Sequence, residues 1–251
     1  MKKTKFAVLF TALIAVLGLS SCLGDPDPYT TLPYPSIMKV SGSVGFYEFE
    51  DASGLVVIPK NQEALSTIFT NAEFAFVNFK YDTRELTNGT KRLQAEIINF
   101  VPINDIMEDY VKEESNGHTS TISQSPVFFD KNNMFISLEY YYEKFEEYDK
   151  LKEELNKHSF GLYLAKQEED EDVTDDTLVL YFSHRVSDPE NNNKRTTRGT
   201  ETYRFDLSNV LNGNMPEKII IKYKASTSSS NMNEKYSDIV IEYRKIFSNN
   251  I

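Results

Sequence analysis

Three residue types are scarce in this 251-residue chain, which has no tryptophan, one cysteine and three histidines. A single cysteine excludes an intrachain disulfide, so the fold cannot depend on one. Carbohydrate sites favour large flat rings, and the absence of tryptophan weakens a sugar-binding function without excluding it. Three histidines leave few ligands for a transition metal.

Positive charge is also in short supply. The chain has 27 Lys and Arg residues against 38 Asp and Glu residues, a formal net charge of −11. This balance argues against nucleic acid as a partner, because phosphates attract basic surfaces. It favours solubility and does not suit an anionic lipid surface.

The first apolar run is too short to cross a bilayer as a helix, which takes roughly 20 residues. It extends from Phe6 to Leu19 and follows three lysines, at positions 2, 3 and 5. A positive start, a short apolar core and small residues after it are the layout of a secretory signal peptide. We therefore predict a lipoprotein signal peptide over residues 1–21.

The sole cysteine follows that signal directly. Leu19-Ser20-Ser21-Cys22 matches a lipobox, in which an apolar residue and two small residues precede the cysteine that receives lipid. An unpaired thiol in an exported protein calls for an explanation, and lipidation supplies one. Several acyl chains, such as palmitate, together hold a protein firmly on a membrane. We predict that Cys22 carries the lipid and that this lipid is the membrane contact.

Residues 22–37 are rich in Pro, Asp and Thr, which predicts a semi-rigid, non-helical tether. Without the three signal lysines, 24 basic residues face 38 acidic ones, so the mature charge is −14. Asp25 and Asp27, just after Cys22, resemble a surface-export signal of some Gram-negative bacteria. We expect an outer-membrane lipoprotein, with display on the cell surface favoured over the inner leaflet.

Beyond the tether, apolar and polar residues alternate in short segments, which predicts half-buried strands. In the first half these are Val40–Phe49, Leu55–Ile58, Phe74–Tyr81 and Leu93–Val101. In the second half they are Pro126–Phe129, Met134–Tyr142, Ser159–Lys166, Leu178–Val186, Thr200–Leu207, Lys218–Ala225 and Asp238–Tyr243. Asn88-Gly89 predicts a hairpin turn, because both residues tolerate positive φ.

Two segments interrupt the strands. Asp105–Gln124 is polar and lacks alternation, so we place a boundary there, between domains at residues 38–115 and 120–251. In Glu143–Lys157, apolar residues recur at helical spacing, which predicts a short amphipathic helix that caps the second domain. The spacing of the later strands favours a β-sandwich for that domain.

Several blocks of the second half resemble the NigD-like lipoprotein family. They are Lys157–Leu162, Leu178–Arg185 with Asp188 shortly after, and Tyr203–Ser208. The resemblance implies an all-β fold, with an N-terminal OB-like β-barrel followed by a C-terminal β-sandwich, exported in Gram-negative bacteria. It implies no established biochemical role and supplies no catalytic residue. The N-terminal half departs more from the pattern, with a polar insertion around Glu108–Ser120.

Two histidines and one aspartate form a candidate site for a transition metal. His158 and His184 fall on adjacent predicted strands, and Asp188 is the one further ligand close in sequence. The alternative, which we favour, is that they are polar residues at strand ends that stabilise the fold. His118 lies in the polar segment without ligand-type neighbours in sequence. We therefore expect no cofactor.

No sequence motif points to catalysis. The chain has no G-x-S-x-G elbow, no H-E-x-x-H helix and no cysteine apart from the predicted lipid carrier. Acids are too plentiful for any carboxylate pair to be informative. We expect a non-enzymatic binding or assembly module for a protein, peptide or glycan partner. A structural envelope component and a carboxylate-dependent hydrolase remain alternatives, and the oligomeric state is open.

Overall fold

The computed structural model describes residues 28–43, 46–65, 72–228, 231–233 and 235–248. The predicted signal peptide, Cys22 and the start of the predicted tether lie outside these residues. Within the described ranges, the chain is mainly β-structure with a few short helices. None of the helices there is long and apolar enough to span a bilayer.

The first half forms a closed barrel. Its elements are β1 (Tyr29–Thr31), β2 (Ser36–Ser43), β3 (Phe46–Glu50), β4 (Val56–Pro59), helix α1 (Gln62–Leu65), β5 (Phe74–Asp82) and β6 (Arg92–Asp105). Five strands close a ring in the order β2-β3-β4-β6-β5, because β5 pairs with both β6 and β2. Only β4 and β6 are parallel within this ring.

Apolar side chains at alternate positions of the barrel strands fill the barrel interior. Phe49, Val57, Val77 and Leu93 belong to one buried apolar cluster and are at most 1% exposed. Gly42, near the end of β2, has φ +113, and an added Cβ would lie 1.9 Å from the Phe46 carbonyl oxygen. Only glycine fits this tight approach of β2 to β3.

Part of the predicted tether lies against the barrel. Tyr29–Thr31 pairs antiparallel with Lys80–Asp82 of β5, and β2 already begins at Ser36. The described part of residues 22–37 is therefore extended, as its prolines predict, but from Tyr29 onward it includes strands of the sheet.

The second half contains two sheets. Its strands are β7 (Met107–Asp109), β8 (Thr119–Ile122), β9 (Val127–Phe128), β10 (Asn133–Tyr142), β11 (His158–Leu164), β12 (Thr177–Val186), β13 (Thr197–Asp206), β14 (Lys218–Tyr223), β15 (Ser226–Ser228), β16 (Asn231–Met232) and β17 (Ser237–Ile241). Its helices are α2 (Tyr148–Leu155), α3 (Ser208–Leu211) and α4 (Tyr243–Ser248), with a 3-10 helix at Pro189–Lys194.

One sheet continues from the barrel in the order β6-β13-β10-β8, and the other runs β17-β14-β12-β11-β7. Buried side chains from both, such as Leu138 and Phe205 on one and Leu180 and Ile221 on the other, form a single apolar core. The mainly-β fold and the short helix of the second half are confirmed. The helix is shorter than the segment Glu143–Lys157 that predicted it.

The two halves share strand β6. Its residues up to Ile103 pair with β4 and β5 in the barrel, whereas Asn104 and Asp105 pair with β13. Strand β7 then pairs with β11 in the second half. The change from one half to the other therefore falls inside β6, before the polar segment that marked the boundary in sequence.

Strands β5 and β6 are antiparallel neighbours, as the Asn88-Gly89 hairpin predicts. The turn itself differs from a two-residue type I′ loop. It spans residues 83–91, and Gly89 has φ +97 while Asn88 is not among the residues with positive φ. Thr90 closes the loop instead, through its hydroxyl contacts with Thr87 and the Glu85 carbonyl.

Candidate functional site: a histidine cluster and an adjoining cleft

Two of the three histidines meet inside the second half. In the β11–β12 hairpin His158 pairs with Val186, and His184 with Phe160, so the imidazoles lie two positions apart in register, on the same face of neighbouring strands. His158 Nδ1 lies 2.9 Å from His184 Nε2. His118, just before β8, is close enough to act electrostatically on His184, and its Nδ1 lies 3.2 Å from Ser226 Oγ.

The hydrogen-bond partners assign a direction to this chain of imidazoles. The Glu154 carboxylate can only accept, so His158 Nε2 donates to its Oε1 at 3.4 Å. A neutral His158 then accepts at Nδ1 from His184 Nε2, and His184 Nδ1 accepts from Thr119 Oγ1 at 3.0 Å. The acceptors of this network thus fix the tautomers of both imidazoles.

Burial keeps these imidazoles neutral. His184 is completely buried, and burial, followed by the nearby His158 and His118, holds its pKa well below the usual 6.5. Burial also lowers the pKa of His158 and of His118, against the opposite effect of Glu154 on His158. The cluster is therefore uncharged at neutral pH.

A charged network anchors helix α2 beside the histidines. Glu154, 1% exposed, receives Arg195 Nε at 2.7 Å and Lys157 Nζ at 3.2 Å. Arg195 and Lys157 also pair with Asp188, Lys157 at 3.0 Å. Burial alone would raise the pKa of both carboxyls, but these hydrogen bonds outweigh it and lower both to about 2.

The predicted metal ligands come together only in part. His158 and His184 adjoin, but Asp188 contacts Lys157 and Arg195 rather than an imidazole. Across the part of the chain that the structure describes, no group of three or more His, Cys, Asp and Glu side chains is arranged to hold a metal ion. The geometry supports a buried hydrogen-bond network around His158 and His184, and sequence reasoning missed that His118 lies near it.

The polar segment before β8 is hydrogen-bonded to the backbone of β12 at His184 and Val186. The backbone N–H groups of Asn116 and Gly117 both donate to the His184 carbonyl, at 3.0 and 2.9 Å. The Asn116 side chain accepts from Val186 N and donates to Val186 O, as a neighbouring strand would. A Cβ at Gly117 would lie 2.6 Å from His184 Nε2, so glycine lets the backbone cross the imidazole.

An open cleft of about 420 Å³ adjoins the cluster, between α2 and the ends of β6, β11 and β13. Its lining residues are Asn104, Asp105, Met107, Tyr148, Leu151, Lys152, Leu155, Asn156, His158, Ser159, Phe160, Glu201 and Tyr203. Tyr148 and Met107 at its rim are 75% and 67% exposed. Leu151 and Leu155 of α2 are half-buried, so the apolar side of this helix forms a cleft wall as well as a cap.

The floor of the cleft is polar. Glu201 is half-buried, and Tyr203 Oη donates to its Oε2. Tyr140 joins the same hydrogen-bonded group, and burial raises the pKa of both tyrosines. Asp105 instead pairs with Arg204 at 3.4 Å.

No family model and no curated protein matches the sequence. The fold is similar to the crystal structure of a "putative lipoprotein" from Bacteroides fragilis NCTC 9343, with 21% identity and a TM-score of 0.65 over 86% of this chain and 98% of that one. It is also similar to a DUF1344 protein of unknown function from Bacteroides vulgatus, with 8% identity and a TM-score of 0.53 over 85% and 91% of the two chains. At these identities the likeness concerns the fold alone: this chain shares its mainly-β architecture with Bacteroides proteins.

Proposed function

We propose that this chain is a lipid-anchored envelope protein that binds a protein, peptide or glycan partner in the cleft beside α2, without catalysis. The observation that carries the proposal is the open cleft itself. Its volume of about 420 Å³ lies in the range of ligand sites, and it combines a largely polar lining with apolar side chains such as Leu151 and Leu155 of α2. A purely structural envelope component does not require such a cleft.

The proposed anchor and family rest on separate support. The lipobox ending at Cys22 and the resemblance to NigD-like lipoproteins agree with the name of the Bacteroides fragilis protein. A closed five-stranded ring would suit an OB-like barrel, and two facing sheets around one core would suit a β-sandwich. We infer an outer-membrane lipoprotein of a Gram-negative bacterium with this two-part fold.

The anchor has a direct test. Cys22→Ser removes the thiol that would carry lipid, so we expect the expressed protein to be released from washed membranes into the soluble fraction. Ser21→Ala, which keeps a small residue before the cysteine, serves as the control and should stay with the membrane. A membrane-bound Cys22→Ser protein would show that the lipobox interpretation is wrong.

The site chemistry argues for binding rather than turnover. The hydroxyl group that is hydrogen-bonded to His184 belongs to Thr119. Thr119 is 2% exposed, so substrate cannot reach this hydroxyl as a nucleophile. A carboxylate hydrolase would need two free acids, but Asp105 in the cleft is paired with Arg204. The hydrolase alternative is therefore disfavoured by the geometry of this cleft.

Partner capture from native envelopes tests the binding role. We expect the mature protein to retain a partner that is lost when Tyr148 or Leu151 in the cleft is replaced by serine. Ile98→Ser is the matched control, because Ile98 is an exposed apolar residue of the barrel strand β6. Capture that survives both cleft substitutions would refute the cleft as the binding site.

A further inference from the structure

We infer that the cleft takes a lysine or arginine side chain from a peptide segment of the partner, with Glu201 as its charge partner. This inference rests on the proposed binding function and adds the chemistry of the bound group. It follows from the lack of an ion pair at Glu201 among the described residues, from the charges around that carboxylate and from the apolar side chains of the cleft.

Glu201 differs from the other acids near the cleft. Glu154, Asp188 and Asp105 are each paired with an arginine, two of them also with Lys157. Glu201 has no ion pair among the residues that the structure describes, and its hydrogen bonds come from neutral tyrosine hydroxyls. A half-buried carboxylate gains most from a cation that arrives with the ligand.

Among the described residues, the other charged groups near the cleft do not pair with Glu201. Arg204 is shared among Glu73, Asp105 and Asp206, and His158 is neutral. Lys152, the one basic residue among those lining the cleft, is exposed on the surface of α2. The C-terminal turn of α2 also borders the cleft, where its carbonyl groups favour a positive charge.

The walls suit the apolar part of a long cationic side chain. Leu151 and Leu155 can pack along its methylene groups, and Tyr148 offers an exposed ring for a cation–π contact. The volume of about 420 Å³ exceeds the needs of one such side chain. The exposed rim of Tyr148 and Met107 continues beyond it, which favours a peptide with an apolar neighbour over a free amine.

The probes are three acetylated and amidated pentapeptides, Gly-Leu-Lys-Leu-Gly and its forms with norleucine or acetyl-lysine at the centre. Binding to the mature protein is measured by titration calorimetry at low and at high salt. We expect the lysine peptide to bind at least about tenfold more tightly than either neutral form, and to weaken as salt is added. We expect Glu201→Gln to abolish that preference.

Glu96→Gln is the matched control, since it removes one negative charge from an exposed position of the barrel and should change nothing. Thermal unfolding of Glu201→Gln, followed by circular dichroism, verifies that this variant is folded. If it is not, charge reversal of the central peptide residue to glutamate, against the wild-type protein, gives the same test.

Equal binding of lysine and norleucine peptides, or no binding of any of them, would overturn the inference. Equal binding of butylamine and the lysine peptide would overturn its peptide part. Either result leaves the binding function intact if Tyr148→Ser still abolishes partner capture. Capture that survives both Tyr148→Ser and Leu151→Ser would instead refute the proposed function itself.

Discussion

Acid should destabilise this protein before its carboxylates titrate, because the buried histidines are neutral in the folded chain. His184 has a depressed pKa when folded and a pKa near 6.5 when unfolded, so the unfolded chain binds more protons as the pH falls. The stability that neutral His184 gives the folded chain is fully present above pH 6.5 and is lost progressively below it. Each such histidine costs about 1.4 kcal/mol per pH unit in that window.

From pH 7 to pH 5, His184 alone should reduce the free energy of unfolding by about 2 kcal/mol. His158 and His118, whose pKa values are also lowered, add to the loss in the same direction. Glu154 and Asp188 act in a separate window. Their pKa values of about 2 stabilise the fold at neutral pH, and this stabilisation is lost only as the pH falls below about 5 toward 2.

Urea denaturation followed by far-ultraviolet circular dichroism at pH 7, 6 and 5 measures this slope. His184→Gln keeps a polar side chain but cannot titrate, so it should be less stable at pH 7 and lose about 2 kcal/mol less on acidification. An unfolding free energy that is constant from pH 7 to pH 5 would refute the reasoning. So would an imidazole resonance of His184 that titrates near pH 6.5.

Two substitutions test the surroundings of the cluster by urea denaturation. Arg195→Met should cost about 3–5 kcal/mol because it leaves the Glu154 carboxylate buried without its main partner, and pairing it with Glu154→Leu should restore most of that loss. Arg198→Met, which removes an exposed ion pair, should cost less than about 1 kcal/mol. Gly161→Ala should cost about 1–3 kcal/mol, since its Cβ would lie 1.9 Å from Asp109 Oδ2; stability equal to the wild type would contradict that close packing.

The longer strands of the second half follow from sequence because each is rich in apolar residues that enter a core on one or both faces. Leu178–Val186 was predicted where β12 runs from Thr177 to Val186, and Lys218–Ala225 where β14 ends at Tyr223. The alternation of apolar and polar residues does not predict short strands. Strand β7 has three residues, too few to show a period, and its pairing with β11 joins segments about fifty positions apart.

The candidate site was only partly predictable for a similar reason. The nearness of His158 and His184 follows from the hairpin register, which sequence spacing indicates. His118 comes near them because the backbone N–H groups of Asn116 and Gly117 donate to the His184 carbonyl. No local sequence pattern predicts this long-range contact. Glu201 and Tyr203 could have been noticed, because residues two apart on a strand share a face and a carboxylate beside a buried tyrosine is unusual.

Strand β6 sets the distance between the predicted lipid and the cleft. The chain enters the barrel at Tyr29, beside the part of β5 that pairs with Ala95 of β6, while Asn104 and Asp105 at the other end of β6 line the cleft. At about 3.3 Å per residue, this separation is roughly 30 Å. With lipid on Cys22, the seven residues to Tyr29 reach at most about 25 Å. The distance of a bound partner from the membrane would thus have an upper limit, and the part of it that β6 spans is a continuous strand rather than a flexible joint.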